Sequence, residues 1–289
     1  MPRNDKMKTI KIVGVPEHFN FPWHLCIENG DFLSEKIDLQ WTNVPEGTGK
    51  MCQMLRDAET DIAVILTEGI VKDIVGGNAS KIVQVYVKSP LIWGIHVDAK
   101  SKYKTISDLE NTKIAISRLG SGSQLMAYVN AKNQGWETDN LQFEIVNTID
   151  GAVKSLASGK SEYFMWERFM TKPLVDAGIF RKIEDCPTPW PCFVIAVRDE
   201  ILEKHPNTIQ TILEIINNKT SEFKQIPNID QKLATKYNLK LEDIQDWLSI
   251  TAWSQKNISE EMLNKVQNQL FELKIIDKKL TFAAIVTTI

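Results

Sequence analysis

Cysteine and histidine are scarce, with four of each in 289 residues. Cys26, Cys52, Cys186 and Cys192 show no CxxC spacing, so neither a zinc ribbon nor a thiol redox motif is read. Cys186 and Cys192 are close enough to suggest a disulfide, but free buried thiols are the better reading. His18, His24, His96 and His205 do not fall at metal-ligand spacing, and there is no G-x-S-x-G elbow, so a metal site and a nucleophile triad are not expected. Long apolar runs are missing too, and no membrane insertion is expected. Charge of one sign is nearly absent: charged residues make up 25% of the chain but net only −3, too little to favour nucleic acid or an anionic membrane. The 14 glycines and 11 prolines are spread out, with no low-complexity tract or long linker. The charged opening Met1–Lys8 runs straight into a strand with no apolar leader. As written, that places the protein in the cytoplasm, and in the periplasm if a leader has been removed.

What is present is one layout written twice. Lys11–Val15, Leu39-Gln40-Trp41 and Asp61–Val64 are echoed by Lys113–Ser117, Leu141-Gln142-Phe143 and Glu162–Met165, at offsets of 102, 102 and 101. Each copy reads strand, polar loop, helix, strand, loop, helix, strand, the plan of a small α/β lobe. Two such lobes facing each other would leave a cleft for a small molecule.

The pattern gives strands near 9–15, 37–44, 61–66, 82–87, 91–97, 114–117, 141–146, 162–166 and 193–197. A helix opens at Phe21-Pro22 and ends near Gly30, and others cover Lys50–Ala58 and Ser123–Asn133. From Pro206 on, Ile and Leu recur at i, i+3, i+4, so the last third is helical and is expected to wrap the first lobe and brace its junction with the second.

Ser117-Arg118-Leu119-Gly120-Ser121-Gly122-Ser123 joins a strand to a helix. Unpaired amides at a helix start favour an anion, so Ser121, Gly122 and Ser123 form a candidate anion seat, with Arg118 as clamp. The spacing is not that of a dinucleotide fingerprint. In the first copy, Glu17, His18, Asn20 and Trp23 crowd the equivalent loop, suiting a ligand with a ring or an amine. Glu46-Gly47-Thr48-Gly49-Lys50 is not a phosphate loop, because Val44 and Met51 stand where Walker A needs Gly and Ser/Thr. Glu46 and Thr48 are read as the second strand's contribution, with Thr48 capping a helix. Thr67 and Glu68 follow the third strand, as Trp166 and Glu167 do in the second copy. Trp190 sits in the proline-stiffened run Pro187–Pro191. Trp23, Trp166 and Trp190 are candidate walls.

With Gly14 and Pro16, Ile27–Phe32 before Ile37-Asp38-Leu39, Ile106–Ile114 and Ala157-Ser158-Gly159, the chain resembles type II periplasmic binding proteins. The nearest branch is the nitrate/sulfonate/taurine group of ABC-transporter substrate-binding proteins. The resemblance implies an α/β fold of two Rossmann-like lobes with a central cleft, joined by crossover strands near Trp93–Val97 and Cys192–Val197, plus a helical C-terminal segment. Lobe 1 would be residues 1–96 with 197–289, and lobe 2 residues 97–196. It implies hinge closure on a small organic anionic or zwitterionic ligand, an ABC-transporter permease as further partner, and no cofactor. The alternative is a cofactor-biosynthesis enzyme on this fold, of thiamine-pyrimidine or menaquinone-pathway type, with Glu17 or His18 as acid or base. The synthases' lysine and histidine after the third strand are replaced here by Ile65 and Gly69.

Overall fold

The computed structural model describes residues 7–289. Met1–Lys6, most of the opening segment on which the location reading rests, lie outside them. The chain begins with β1 (Lys8–Gly14), a 3-10 turn at His18–Asn20, α1 (Phe21–Glu28), α2 (Asp31–Ser34), β2 (Ile37–Asn43), α3 (Thr48–Arg56), β3 (Ile62–Leu66), α4 (Thr67–Val75) and β4 (Ser80–Val87). It continues with β5 (Ile92–Asp98), β6 (Lys113–Ile116), α5 (Gly122–Gln134), β7 (Gln142–Ile145), α6 (Ile149–Ala157), β8 (Tyr163–Glu167), α7 (Arg168–Asp176), β9 (Phe180–Pro187) and β10 (Phe193–Arg198). The tail adds α8 (Asp199–Lys204), α9 (Pro206–Glu222), α10 (Ile229–Tyr237), α11 (Leu241–Ile250), α12 (Glu260–Glu272) and α13 (Phe282–Ile285).

Two compact units result: the chain up to Ser89 with Trp190–Ile289, and Pro90–Pro189. The first holds a sheet of order β2-β1-β3-β10-β4 and the second a sheet of order β7-β6-β8-β5-β9. The plans are the same: three parallel strands, then an antiparallel strand contributed from elsewhere in the chain. Each crossover strand pairs in the sheet it enters, β5 with β8 and β9, and β10 with β3 and β4. Both unit boundaries therefore fall seven residues earlier than those read from the sequence.

The repeat extends to single hydrogen bonds. The Lys11 amide donates to Asp61 Oδ2 at 2.9 Å, and the Asp61 amide to the Lys11 carbonyl at 3.0 Å. In the second unit Lys113 and Glu162 make the same two bonds, both at 2.8 Å. An acidic residue just ahead of the third strand thus fixes its register on the first in both units. β3 reads Ile-Ala-Val-Ile-Leu and its first four residues are buried, as expected of a strand covered on both faces. β9 was not anticipated. It is an edge strand in which Lys182, Glu184 and Asp185 interrupt the apolar pattern, and such charges protect an edge from pairing further.

The core of the second unit gathers Ala115, Val146, Ala152, Leu156, Phe164 and Phe180. Thr148 caps α6 by accepting the Gly151 amide at 3.1 Å. A Cβ on Gly151 would lie 1.9 Å from the Val146 carbonyl oxygen, a backbone atom with little room to move. Gly151→Ala should cost about 1–3 kcal/mol, read by denaturant unfolding. An unchanged midpoint would show that this helix start yields freely.

The tail wraps the first unit as expected: α9 packs on α1 and α2, α12 on α4, and α13 on β4. It also pins the end of that unit's first segment, where the Lys88 amide donates to the Ala252 carbonyl at 2.8 Å and the Ala252 amide to Ser89 Oγ at 3.1 Å. All four cysteines are buried thiols, none of them in a disulfide. Burial pushes the Cys26 and Cys186 thiols up to about 12, so both are inert at neutral pH. No helix among the described residues is long and apolar enough to cross a membrane.

Candidate functional site

In parallel α/β sheets, loops after the carboxyl ends of the strands carry the ligand groups. In the second unit the loop after β6 delivers Ser117–Gly122. Ser121 is the N-cap of the 13-residue α5, its Oγ accepting from the Gln124 amide at 3.3 Å. Ser123 Oγ accepts the Ser117 amide at 2.9 Å and lies 3.0 Å from Ser121 Oγ. Both hydroxyls are thus spent inside the turn and do not supply the expected donors to a ligand. The donors that remain are the Gly122 and Ser123 amides, the first two of α5, for which the described residues offer no acceptor. Arg118 is exposed beside them.

After β8, Glu167 Oε2 accepts the Met170 amide at 2.7 Å and so caps α7; this bond corrects its reading as a free ligand group. Trp166 is half-buried, stacked on Phe164 at 5.4 Å and edge-on to Trp93 at 6.2 Å.

In the first unit the loop after β1 carries Glu17, His18 and Asn20. His18 is buried and stacked on Trp247 of α11, with ring centroids 4.2 Å apart. Burial lowers its pKa to about 3, so the ring is neutral, and its place in an aromatic cluster corrects the reading as a polar group presented to a ligand. Trp23 is 0% exposed and packs with Phe32, Trp41 and Tyr86, a core residue and not a wall. Asn20 is fully buried, and its Nδ2 donates to the Val15 carbonyl at 2.9 Å. Tyr86 Oη pins the same loop by donating to the Phe19 carbonyl at 2.9 Å.

Glu17 stands beside Tyr237, whose phenol is raised first by burial and then by the charges of Glu17 and Glu28. Burial pushes the Glu17 carboxyl up to about 7.

Thr67 and Glu68 open α4 directly after β3. Thr67 Oγ1 donates to the Pro191 carbonyl at 2.6 Å, a structural tie that leaves it no ligand role through that proton. Glu68 is 2% exposed, and its Oε2 accepts the Trp190 indole N–H at 2.7 Å. Burial pushes this carboxyl up to about 7 against the lowering pull of its own backbone amide and the Trp190 indole. Trp190 is itself buried, so it backs Glu68 and is not an open wall. Thr48 is the first residue of α3 and not its cap, which is Gly47. It lies beside α4: a Cβ on Gly69 would be 2.2 Å from the Thr48 methyl. Glu46 is exposed on the preceding turn.

The sequence reading missed Tyr237 and Trp247, tail residues packed on the His18 loop. The only signal was the apolar spacing of Ile244 and Trp247 on α11. No group of three metal-ligating side chains occurs among the described residues.

With two α/β units of one topology and ligand-type loops at their strand ends, the chain has the two-lobe periplasmic binding protein fold, of the kind found in sulfonate- and nitrate-binding proteins. A family model described as Ca3427-like PBP matches residues 93–186. The Candida albicans CA3427 gene product, which defines a family with the generic periplasmic binding protein fold, superposes with a TM-score of 0.86. The two are 24% identical, over 94% of this chain and 92% of that one. The alkanesulfonate-binding protein SsuA from Xanthomonas axonopodis pv. citri, bound to MOPS, gives 0.82 at 12% identity, over 98% and 99% of the two chains. The periplasmic nitrate-binding protein NrtA from Synechocystis PCC 6803 gives 0.68 at 14%, over 96% and 87%. Comparison with curated proteins gave no match.

Proposed function

We propose that this chain is a solute-binding protein for a small organic anion or zwitterion, working as the ABC-transporter substrate-binding proteins do and delivering its solute to a permease. The observation that carries the reading is the pair of unclaimed amides, Gly122 and Ser123, at the start of a long helix that follows a parallel strand. Such a helix start offers two directed N–H groups and the positive end of a macrodipole to one oxyanion. Arg118 adds a charge beside it. SsuA with MOPS and the nitrate-binding NrtA, both similar in fold, are named for anions and support the choice.

Gly122→Pro tests the seat with little disturbance. Proline is well tolerated at the first position of a helix and removes only the N–H. Ser121 before it already has φ −79° and ψ 165°, the extended conformation a following proline demands. Loss of one amide to a charged oxygen should weaken binding of ethanesulfonate about 10–100-fold by calorimetry, with the melting temperature unchanged. Equal affinity in parent and variant would remove the anion seat from α5.

The second reading, an enzyme on this fold, draws on Glu17, whose carboxyl near 7 suits a general acid or base. It requires that mass spectrometry recover a bound metabolite changed, and recovery of unchanged solute alone counts against it.

A further inference from the structure

The second unit holds a cavity of about 710 Å³, the size of a small-molecule site, and every residue lining it falls within Pro90–Pro189. Asp98 closes β5 there, Glu162 stands just ahead of β8 and Ile179 just ahead of β9, whereas Glu167 and the loop after β6 stand at the other end of the sheet. Two carboxylates line the cavity, each with one oxygen spent on backbone. Asp98 Oδ1 accepts the Lys100 amide at 2.8 Å, and Glu162 Oε2 accepts the Lys113 amide at 2.8 Å. Asp98 Oδ2 and Glu162 Oε1 have no donor among the described residues. Hydrogen-bond donors line the same space. Ser161 is 1% exposed, and its hydroxyl bonds that of Ser155, itself 5% exposed, at 2.7 Å. That bond uses one of the pair's two hydrogens, and the other has no acceptor among the described residues. A buried polar hydrogen left so carries its full desolvation cost. Ser101 Oγ accepts the Tyr103 amide at 3.2 Å and keeps its own hydrogen to give, and the Tyr103 hydroxyl and Lys100 ammonium add further donors. Val153 and Leu156 of α6, with Ile179, supply an apolar side.

A cation alone would leave these donors unanswered, and an anion would meet two carboxylates. A hydroxyl group answers both, donating to a carboxylate oxygen and accepting from an O–H or an ammonium. We propose that this cavity binds a neutral polyhydroxylated molecule, a sugar or sugar-like polyol, as a second ligand site apart from the loops that hold the solute. The hydroxyls of such a ring pair with Asp98, Glu162 and the Ser155–Ser161 pair, and its C–H face packs on Leu156 and Ile179. Glu162 then has two tasks: one oxygen holds β8 in register on β6, and the other takes a ligand hydroxyl. The inference does not rest on the solute reading and stands whether or not an anion binds at α5.

Saturation-transfer NMR titrations on the full chain test it with glucose and trehalose, and with butylammonium and butyrate as charged alternatives. At least one sugar should bind, with an affinity that excess ethanesulfonate leaves unchanged. Asp98→Asn keeps an acceptor for the Lys100 amide but trades a charged oxygen for a neutral one, and should weaken that sugar about 5–10-fold. Ile179→Asp sets a charge on the apolar side and should weaken it at least about tenfold. Ile179 is 38% exposed, so that variant should fold and melt as the parent does. Sugar binding that survives Ile179→Asp, or that ethanesulfonate displaces, places the site elsewhere and overturns the proposal, as does equal affinity in Asp98→Asn. If butylammonium or butyrate binds in an Ile179-dependent way and neither sugar does, the cavity takes a charged ligand and the polyol assignment falls. If none of the four binds the parent protein, the assignment falls as well.

Discussion

Replacing Trp247 by alanine is expected to destabilise the first unit by about 3–5 kcal/mol, the range for emptying a large buried aromatic site. Trp247 is 1% exposed and meets three rings at once: it stacks on His18 at 4.2 Å and lies edge-on to Phe19 at 5.1 Å and Trp253 at 5.7 Å. Phe19 in turn packs on Phe193 of β10, so the cluster ties the tail both to the loop after β1 and to the sheet. The cavity cannot close easily, because the backbone beneath is held by Tyr86 on the Phe19 carbonyl. Denaturant unfolding followed by near-UV circular dichroism measures the loss. Leu119→Ala serves as the comparison, since Leu119 is 66% exposed and its truncation should change stability by less than about 0.5 kcal/mol. A Trp247→Ala protein within about 1 kcal/mol of the parent would mean that the tail is not part of the first unit's core. The variant also speaks to function. Loosening the tail should leave the loop after β1 in place on average but no longer fixed by the His18–Trp247 stack, so the positioning of Glu17 should suffer even where the fold survives.

How much of this was legible in the sequence depends on how local the cause is. The duplicated lobes were legible because their strands are short apolar runs with acidic residues at fixed places: Asp61 and Glu162 bond Lys11 and Lys113 in the same way. The start of α1 at Phe21-Pro22 and the left-handed Gly30 behind it were legible for the same reason. The sheet membership of β5 and β10 was not. Either strand has the same apolar run whichever sheet it joins, and only pairing across the chain decides. For the site residues, residue type was a poor guide to which atoms are spent. Ser121, Ser123 and Glu167 were singled out for their polar groups, yet the structure commits those groups to helix starts, as short polar side chains next to free amides tend to be. Trp23 and His18 were read as site residues from a crowded loop, and both are packed by partners the loop does not contain, Tyr86 and Trp247. Glu68 was read as a site residue only from its place, with Thr67, after the third strand. Its weight comes from Trp190, more than a hundred residues on, which no local pattern announces.

Glu68→Gln should make the protein more stable at pH 8 by about 3 kcal/mol, and no more stable at pH 4. The carboxyl goes from an ordinary 4.5 in the unfolded chain to about 7 in the folded one, and each unit is worth about 1.4 kcal/mol. Because the folded value is the higher, the folded state holds the proton over the interval in which the unfolded state has lost it. Parent stability from this group therefore falls as pH rises from about 4.5, and the loss is complete above about 7. Glutamine has no proton to lose and keeps an acceptor for the Trp190 indole, so the variant escapes that decline while matching the parent in acid. Unfolding midpoints of both proteins between pH 4 and pH 8 measure it. Curves that run parallel would show that the folded chain pays nothing for this carboxylate, and that Glu68 Oε1 already has a donor. Curves that part above pH 5 would mean that the fold carries a buried charge it would be more stable without. A cost of that size at a strand-end loop is what a binding group imposes when its partner is the solute and not the protein.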